Sequence, residues 1–280
     1  RLFDHWLCNL HFDANWYQER DCNARYVGQP YFDELTGKQV DSDFMRCHAT
    51  TDQGRLVTLL PGSRVQEVKG NLPCFLKAAE QIAAHVPGTR FAVASFNEQQ
   101  ADMARQMVAQ SALPIEVFAD RTSELIQLGH CCMACSGSVS LELMYYAKPS
   151  AIHYLLNRRM FYFAKTFMLQ VKYMTLVNLL ACDDRFEMSQ VPFDPNQPGA
   201  DQVPFPEYPT CTDKSDQIAA HVIEWLTDAA EYRRRVDQLV GLRNRFCVTG
   251  ATQTAANYIL DQLPTLPESQ PDIPAANRAA

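Results

Sequence analysis

The chain has 280 residues, of which 47% are hydrophobic and 20% are charged, and its formal net charge is -7. This composition is typical of one or two globular domains with a substantial core. The negative charge and the lack of a long basic run argue against nucleic-acid binding, which needs clustered Lys and Arg. No apolar run reaches the roughly 18 residues of a transmembrane helix. Because the sequence starts at Arg1 in mid-pattern, we expect a segment upstream.

The first part of the chain is predicted to close one domain and lead into another. Residues 1–37 are expected to end the first domain, with a strand at 2–10, a helical turn at 12–19 and a short strand at 24–30 that ends in a Gly-x-Pro turn. Residues 38–54 are polar and show no clear period. This segment is therefore predicted to be an irregular connector.

Residues 55–192 alternate between apolar runs and helical spacing. Strands are predicted at 55–60, 91–95, 115–118, 131–135 and 150–154, and helices at 71–86, 98–110, 123–129 and 139–147. The first of these helices is expected to start at Asn71 as its cap, with Pro73 in the first turn. Sustained β-α alternation predicts an α/β fold built on a doubly wound parallel sheet with right-handed crossovers.

A basic and aromatic segment follows the last of these strands. Residues 158–170 are predicted to form a helix in which Arg158, Arg159 and Lys165 lie among large aromatic side chains. Such a helix fits packing against the sheet, and it also fits a surface that meets anionic lipid headgroups. The sequence leaves both interpretations open.

The rest of the chain is less regular. Asn178 interrupts an apolar segment, where it is either a buried amide that needs partners or a structural cap. Residues 193–212 are Pro-rich and are predicted to form an irregular loop. Residues 213–263 are expected to form C-terminal helices, and 264–280 a disordered tail.

Two loops of small residues follow predicted strands. One contains Gly62, Ser63 and Arg64, with Glu67 just beyond, and the other contains Ser136, Gly137 and Ser138. Ligands of parallel sheets bind beyond the carboxyl ends of the strands, where N–H groups at a helix N-terminus stabilise a phosphate. Glu142, one turn into the second helix, could accept hydrogen bonds from vicinal sugar hydroxyls. Small residues at such turns also serve tight packing alone, so either loop by itself is a weak signal.

The chain contains ten cysteines, scattered through apolar strands and helices. We expect them to be reduced, because disulfide scaffolds are typical of much smaller secreted domains. Cys132 and Cys135 form a C-x-x-C pattern that could suggest zinc. Strand alternation would turn these two side chains to opposite faces, and no second pair lies nearby. Buried small hydrophobic residues are therefore the better interpretation, and no metal site is predicted.

Taken in order, these motifs resemble the lipid-A-disaccharide synthase family, inverting glycosyltransferases of the GT-B architecture with two Rossmann-like domains facing across a cleft. The matching segments are LLPGSR at 59–64 with Glu67, SGS at 136–138 with Glu142, VNLLA at 177–181, and VGQP at 27–30 with Asp33. Together they cover most of residues 1–181. The resemblance implies that residues 55–192 form the UDP-sugar-binding Rossmann-like domain.

The chain departs from the family at several positions. The family usually has His where Gln29 stands, Pro where Val177 stands, and Arg at the position of Leu155. Its Pro-Glu pair follows soon after the Asn segment. Here the nearest match is Pro206-Glu207, displaced by the Pro-rich insertion.

The resemblance implies transfer of 2,3-diacylglucosamine from its UDP donor to 2,3-diacylglucosamine 1-phosphate, releasing UDP, in the biosynthesis of lipid A and so of lipopolysaccharide. No metal or cofactor is implied. The implied UDP-sugar-binding residues are Gly62, Ser63, Arg64, Glu67, Ser136, Gly137, Ser138, Glu142, Asn178 and Glu207.

The implied setting is cytoplasmic, with peripheral contact to lipid at the inner face of the inner membrane, and it allows a homodimer. The acceptor loop and the catalytic base of the family would lie upstream of Arg1, so this chain alone is expected to be inactive.

Two further hypotheses stand beside this one. Another UDP-sugar enzyme of the same architecture, an epimerase or a peptidoglycan glycosyltransferase, would share the loop chemistry. A nucleotide-sugar-binding module without catalysis would share it as well. The Asn178 segment and the basic aromatic helix favour the lipid enzyme, and the sequence preceding Arg1 would separate an enzyme from a module.

Overall fold

The structure is a computed structural model that describes residues 3–49, 55–163, 172–182 and 196–263. The strands are β1 (Trp6–Cys8), β2 (Ala24–Tyr26), β3 (Leu56–Leu60), β4 (Arg90–Ser95), β5 (Ile115–Ala119), β6 (Cys131–Cys135), β7 (Ser150–Leu155) and β8 (Glu207–Thr210). The helices are α1 (His11–Gln18), α2 (Pro30–Gly37), α3 (Ser42–His48), α4 (Val65–His85), α5 (Glu98–Val108), α6 (Thr122–Leu128), α7 (Val139–Tyr145), α8 (Arg158–Phe163), α9 (Leu176–Ala181), α10 (Ser215–Thr227), α11 (Ala229–Phe246) and α12 (Ala251–Gln262). Two units result, one of residues 1–36 with 248–280 and one of residues 37–247.

The unit of residues 37–247 is built on a 6-stranded sheet with the strand order β5-β4-β3-β6-β7-β8. All neighbouring strands pair in parallel. β3 and β6 are buried along their whole length, as apolar strands covered on both faces should be. The chain moves outward from β3 through β4 and β5, returns to β6 beside β3, and then moves outward the other way. The predicted doubly wound α/β sheet is confirmed, and its topological switch point lies between β3 and β6.

Helix α4 starts earlier than predicted. We expected Asn71 to cap it, but the helix begins at Val65 and carries Pro73 in its interior. The Glu67 carboxylate accepts hydrogen bonds from backbone N–H groups that precede the helix, which satisfies donors that every helix start leaves open. An interior proline costs about 3 kcal/mol. The buried stripe of α4 outweighs that cost; it includes Val68, Leu72, Phe75, Ala79 and Ile82.

The Pro-rich segment is more regular than predicted. We expected residues 193–212 to be irregular, yet they contain a 3-10 helix at Ala200–Gln202 and the edge strand β8. In the β7–β8 ladder, Ile152 N–H donates to the Pro206 carbonyl and Leu156 N–H to the Thr210 carbonyl, both at 2.8 Å. Pro209 lies at the alternate position, where its nitrogen faces away from β7. An edge strand tolerates proline there because no ladder donor is lost. Residues 193–195 lie outside the described residues.

The segment expected to be an irregular connector contains helix α3. Its N-cap is Asp41, whose side chain accepts hydrogen bonds from the N–H groups of Asp43 and Phe44. The Phe44 ring stacks on His48 with the centroids 4.1 Å apart and meets Phe118 edge-on at 5.1 Å. A side-chain cap and aromatic contacts therefore fix this helix, and hydrophobic periodicity gave no sign of it.

The unit of residues 1–36 with 248–280 contains β1 and β2 as a parallel pair. The strand predicted at 2–10 is shorter than expected, and α2 was not predicted. The carboxylate of Asp33 accepts hydrogen bonds from the N–H groups of Gly250 at 2.6 Å and Thr252 at 2.8 Å. These bonds hold the start of α12, and the N–H groups of Thr252 and Gly250 lower the pKa of Asp33.

Part of the basic aromatic segment lies outside the described residues. The structure gives α8 at Arg158–Phe163, whereas residues 164–170, with Lys165, are not described. Among the described helices, none has both the length and the hydrophobicity that crossing a bilayer requires.

Candidate functional site

Two exposed loops leave the sheet side by side at its switch point. β3 pairs with β6 so that Leu60 lies opposite Ala134. The loop that follows Leu60 and the loop that follows Cys135 therefore start at the same edge of the sheet, on adjacent strands. Ser63, Arg64, Gly137 and Ser138 are exposed in these loops. The structure thus brings together the two loops of small residues at the position where parallel sheets bind ligands.

The loop after β3 is held by Glu67. Its Oε2 accepts hydrogen bonds from the N–H groups of Ser63 at 2.9 Å and Arg64 at 3.1 Å, and its Oε1 lies 2.8 Å from Arg64 Nη1. Gly62 has φ +126°, a region that favours glycine. We had expected the amides near Gly62 to face a phosphate. The structure gives two of them an internal carboxylate, while the Arg64 side chain stays 78% exposed.

The loop after β6 is more open. A Cβ atom added to Gly137 would meet nothing within 4 Å. The hydroxyl of Ser140 donates to the Gly137 carbonyl at 2.8 Å, which shapes the turn into α7. The buried face of α7 carries Leu141, Leu143 and Met144. The loop therefore has open space at Gly137, above a packed helix.

The predicted sugar-binding carboxylate lies below the surface. Glu142 is 2% exposed, and its Oε1 accepts a hydrogen bond from the Ser123 hydroxyl. The Lys38 ammonium lies 3.9 Å from the same oxygen. Sequence reasoning missed Lys38 because it lies in a segment without periodicity. The site therefore has a cation that reaches Glu142 from the segment before α3.

Asn178 and Glu207 meet in the structure. Asn178 Nδ2 donates to Glu207 Oε2 at 2.9 Å and to the Phe205 carbonyl at 2.8 Å, while Asn178 Oδ1 accepts from Phe205 N–H at 3.0 Å. Glu207 also accepts from the N–H groups of Met174 and Thr175 before α9. Burial raises the pKa of the Glu207 carboxyl, although these hydrogen bonds act in the opposite direction. The pair links α9 to β8, so the displaced Pro206-Glu207 lies beside the Asn segment in space.

The cysteines of β6 are buried side chains with little thiolate character. Burial raises the pKa of Cys132 and of Cys135 to about 12, and zinc ligation requires the thiolate. In the ranges that the structure describes, no group of three or more His, Cys, Asp or Glu side chains could hold a metal ion.

We therefore expect elemental analysis of the purified chain to find no stoichiometric zinc. Replacing Cys132 with serine should leave the metal content unchanged, because the wild-type side chain binds no metal. One tightly held zinc per chain, lost in the Cys132→Ser variant, would contradict this prediction.

Known protein sequences match the part of the chain that contains both loops of the candidate site. The sequence model of the Lipid-A-disaccharide synthetase family matches residues 1–197. The lipid-A-disaccharide synthase of Pseudomonas putida KT2440 is 30% identical over 175 residues, which are 62% of this chain and 46% of that protein. The enzyme of the same name from Myxococcus xanthus DK1622 is 26% identical over 265 residues, or 94% of this chain and 64% of that protein. The chain thus spans between about half and two thirds of these relatives' length.

Solved structures give the fold. The S. aureus MnaA-UDP co-structure matches 94% of this chain and 61% of its own chain with a TM-score of 0.56 at 11% identity. The UDP-GlcNAc 2-epimerase from Neisseria meningitidis bound to UDP-GlcNAc matches 91% of this chain and 61% of its own with a TM-score of 0.55 at 10% identity. At such low identity the likeness concerns the fold alone, and the predicted GT-B-like α/β architecture is confirmed.

Proposed function

This chain belongs to the lipid-A-disaccharide synthetase family, and we propose that it forms the donor-binding half of a lipid-A-disaccharide synthase. The reaction proposed is transfer of 2,3-diacylglucosamine from UDP to the acceptor 2,3-diacylglucosamine 1-phosphate with inversion, releasing UDP. The observation that carries the proposal is the meeting of the two exposed loops at the switch point between β3 and β6, where open α/β sheets bind nucleotides.

The diphosphate of the donor would lie between the two loops. Arg64 is the exposed cation of the first loop, and a guanidinium forms strong charge-assisted hydrogen bonds with phosphate oxygens. Glu67 holds the backbone of that loop in place, so the position of the Arg64 Cα atom is fixed while its side chain remains exposed. The open backbone at 136–138 supplies further N–H donors. Together these groups would stabilise the negative charge that develops on departing UDP, which is the task a metal performs in other enzymes.

Buried polar side chains would contact the ribose of UDP and shape the wall of the donor site. Glu142 would accept hydrogen bonds from the ribose hydroxyls, with Ser123 and Lys38 orienting its carboxylate. Asn178 and Glu207 would shape the wall of the donor site through the start of α9, which they hold against β8. The proposed UDP-sugar-binding residues also include those of the two loops, which are Gly62, Ser63, Ser136, Gly137 and Ser138.

Inversion needs a base that removes the proton of the acceptor hydroxyl. His153 and His221 are not candidates, because each ring already makes a hydrogen bond inside the fold, His153 to the Asn71 side chain and His221 to the Tyr208 hydroxyl. Burial lowers the pKa of each of them to about 4. We assign the base and the acceptor site to the portion of the family's sequence that the alignments of this chain do not span.

The proposed enzyme would work in the cytoplasm at the inner face of the inner membrane. Arg158 and Arg159 of α8 are exposed, and such cations attract anionic headgroups. The contact would be peripheral, and a homodimer is compatible with it.

Calorimetric titration with UDP tests the donor site. Arg64→Ala and Glu142→Ala should each weaken UDP binding by about 10- to 150-fold, since losing a hydrogen bond to a charged group costs about 1.5–3 kcal/mol. The matched control is Arg90→Ala. Arg90 also pairs with a carboxylate, Glu116, at 2.9 Å, but it lies at the amino end of β4, at the opposite edge of the sheet. The control should bind UDP like the wild type, and unchanged affinity in both site variants would refute the donor assignment.

A further inference from the structure

One buried amide bridges two strand ends beside the proposed donor site. Asn71 of α4 is 2% exposed. Its Nδ2 donates to the carbonyl of Pro61, directly after β3, at 3.0 Å. Its Oδ1 accepts from the N–H of Leu155, the last residue of β7, at 3.1 Å. β6 lies between these two strands in the sheet, so the side chain spans the strand that leads into the open loop at 136–138.

The amide takes the place of a missing strand. The β6–β7 register ends with Cys135 opposite His153, and the chain then turns away into the loop at 136–138. Ile152 N–H points toward β8, so by the alternation of a strand the N–H of Leu155 points toward the β6 side, past the last paired residue. Asn71 accepts this N–H as a strand carbonyl would. It donates to Pro61 as a strand N–H would.

The orientation of the amide is fixed by its neighbours. The Leu155 N–H can only donate, so the atom it meets is the Asn71 oxygen, and Nδ2 must face Pro61. His153 Nδ1 lies 2.9 Å from the same oxygen and therefore donates to it. A Cβ atom added to Gly70 would lie 3.5 Å from Leu155 Cβ, which shows how closely α4 approaches the end of β7. The bridge is thus part of a packed and hydrogen-bonded arrangement.

We propose that Asn71 is a positioning residue of the donor site, which fixes the spacing between the ends of β3 and β7 on either side of the loop at 136–138. The ligand side of this inference, a nucleoside diphosphate, rests on the proposed function. A gap of fixed width would keep the loop at 62–64 and the loop at 136–138 at a constant separation, between which the diphosphate would lie. Asn71 touches no ligand in this role and acts through the Pro61 carbonyl.

Two variants separate the two halves of the bridge. Asn71→Asp keeps an oxygen for Leu155 and His153 but loses the donor to Pro61, whereas Asn71→Leu loses both. Hydrogen exchange should become faster at residues 62–64 in both variants, and at Leu155 only in Asn71→Leu. UDP affinity should fall about tenfold in each, as expected for the loss of roughly one buried hydrogen bond. The matched control is Ile82→Val, a fully buried position of the same helix, which should lower the melting temperature and leave loop exchange and UDP affinity unchanged.

The readouts distinguish this inference from the proposed function. Wild-type exchange rates at residues 62–64 in Asn71→Asp would overturn the positioning role, and so would equal loosening of this loop in Ile82→Val. If Asn71→Asp loosens the loop while the wild type fails to bind UDP, the positioning role is supported and the donor assignment is wrong. All measurements are made at a temperature where far-UV circular dichroism shows each variant to be folded.

Discussion

Alanine at position 62 is expected to destabilise the unit of residues 37–247 and to remove measurable UDP binding. The new Cβ atom would lie 2.4 Å from Glu67 Cβ and 2.6 Å from Glu67 Oε2, closer than any real contact. The backbone at Gly62 has φ +126°, which strains any residue with a Cβ by about 1–3 kcal/mol. Glu67 can give way only by releasing the N–H groups of Ser63 and Arg64. Strain and the loss of at least one hydrogen bond to the charged carboxylate should together cost at least about 2.5 kcal/mol, measured by urea unfolding.

The control for this variant is a glycine with room around it. Gly241 lies within α11, and a Cβ atom there would meet nothing within 4 Å. Gly241→Ala should stabilise the chain by up to about 1 kcal/mol, because alanine is the better helix former, and should bind UDP normally. A Gly62→Ala chain that unfolds at the wild-type urea concentration and binds UDP would show that the Glu67 contact does not shape the loop.

The sheet could be predicted because its strands carry their own signal. Cys131–Cys135 and Leu56–Leu60 are apolar runs buried along their whole length, so a local pattern sufficed. β8 could not be found this way. Its place depends on pairing with β7, far away in the sequence, and its prolines are allowed only because it lies at an edge. The start of α4 was predicted too late in the sequence, because Pro73 is typical of a first helical turn. In the structure the helix begins at Val65, where the carboxylate of Glu67 binds the preceding N–H groups.

In the candidate site, too, local sequence patterns predicted some features, whereas others depend on contacts between distant residues. Both loops could be predicted from small residues that follow strands, and the sheet order alone brings them together. The partners of their side chains could not be predicted. Asn71 has the residue type of a helix cap, but in the structure it joins β3 to β7. Lys38 gave no signal, and its contact with Glu142 depends on the path of the chain between α2 and α3. Local pattern predicts elements, whereas buried polar contacts arise only from the packed fold.

The 280-residue chain is expected to bind UDP without transferring sugar. The curated relatives described above are covered over only 46% and 64% of their length, and we place the acceptor site and the base in the remainder. Catalysis needs the acceptor hydroxyl and its base held opposite the donor, and such positioning supplies about 7–11 kcal/mol of the barrier. Without the acceptor site and the base, a chain should therefore show no turnover, while the donor site keeps its affinity.

The test compares this chain with a fusion that adds, from the Myxococcus xanthus DK1622 relative, the portion that this chain does not cover. Both are given the two lipid substrates, and disaccharide formation is followed by chromatography while UDP affinity is measured in parallel. We expect equal UDP affinity and turnover only in the longer protein, because both donor loops lie within the unit of residues 37–247. Comparable turnover by both would place the base within these 280 residues, and the exposed side chains around Arg64 and Ser138 would then be the first positions to search for it.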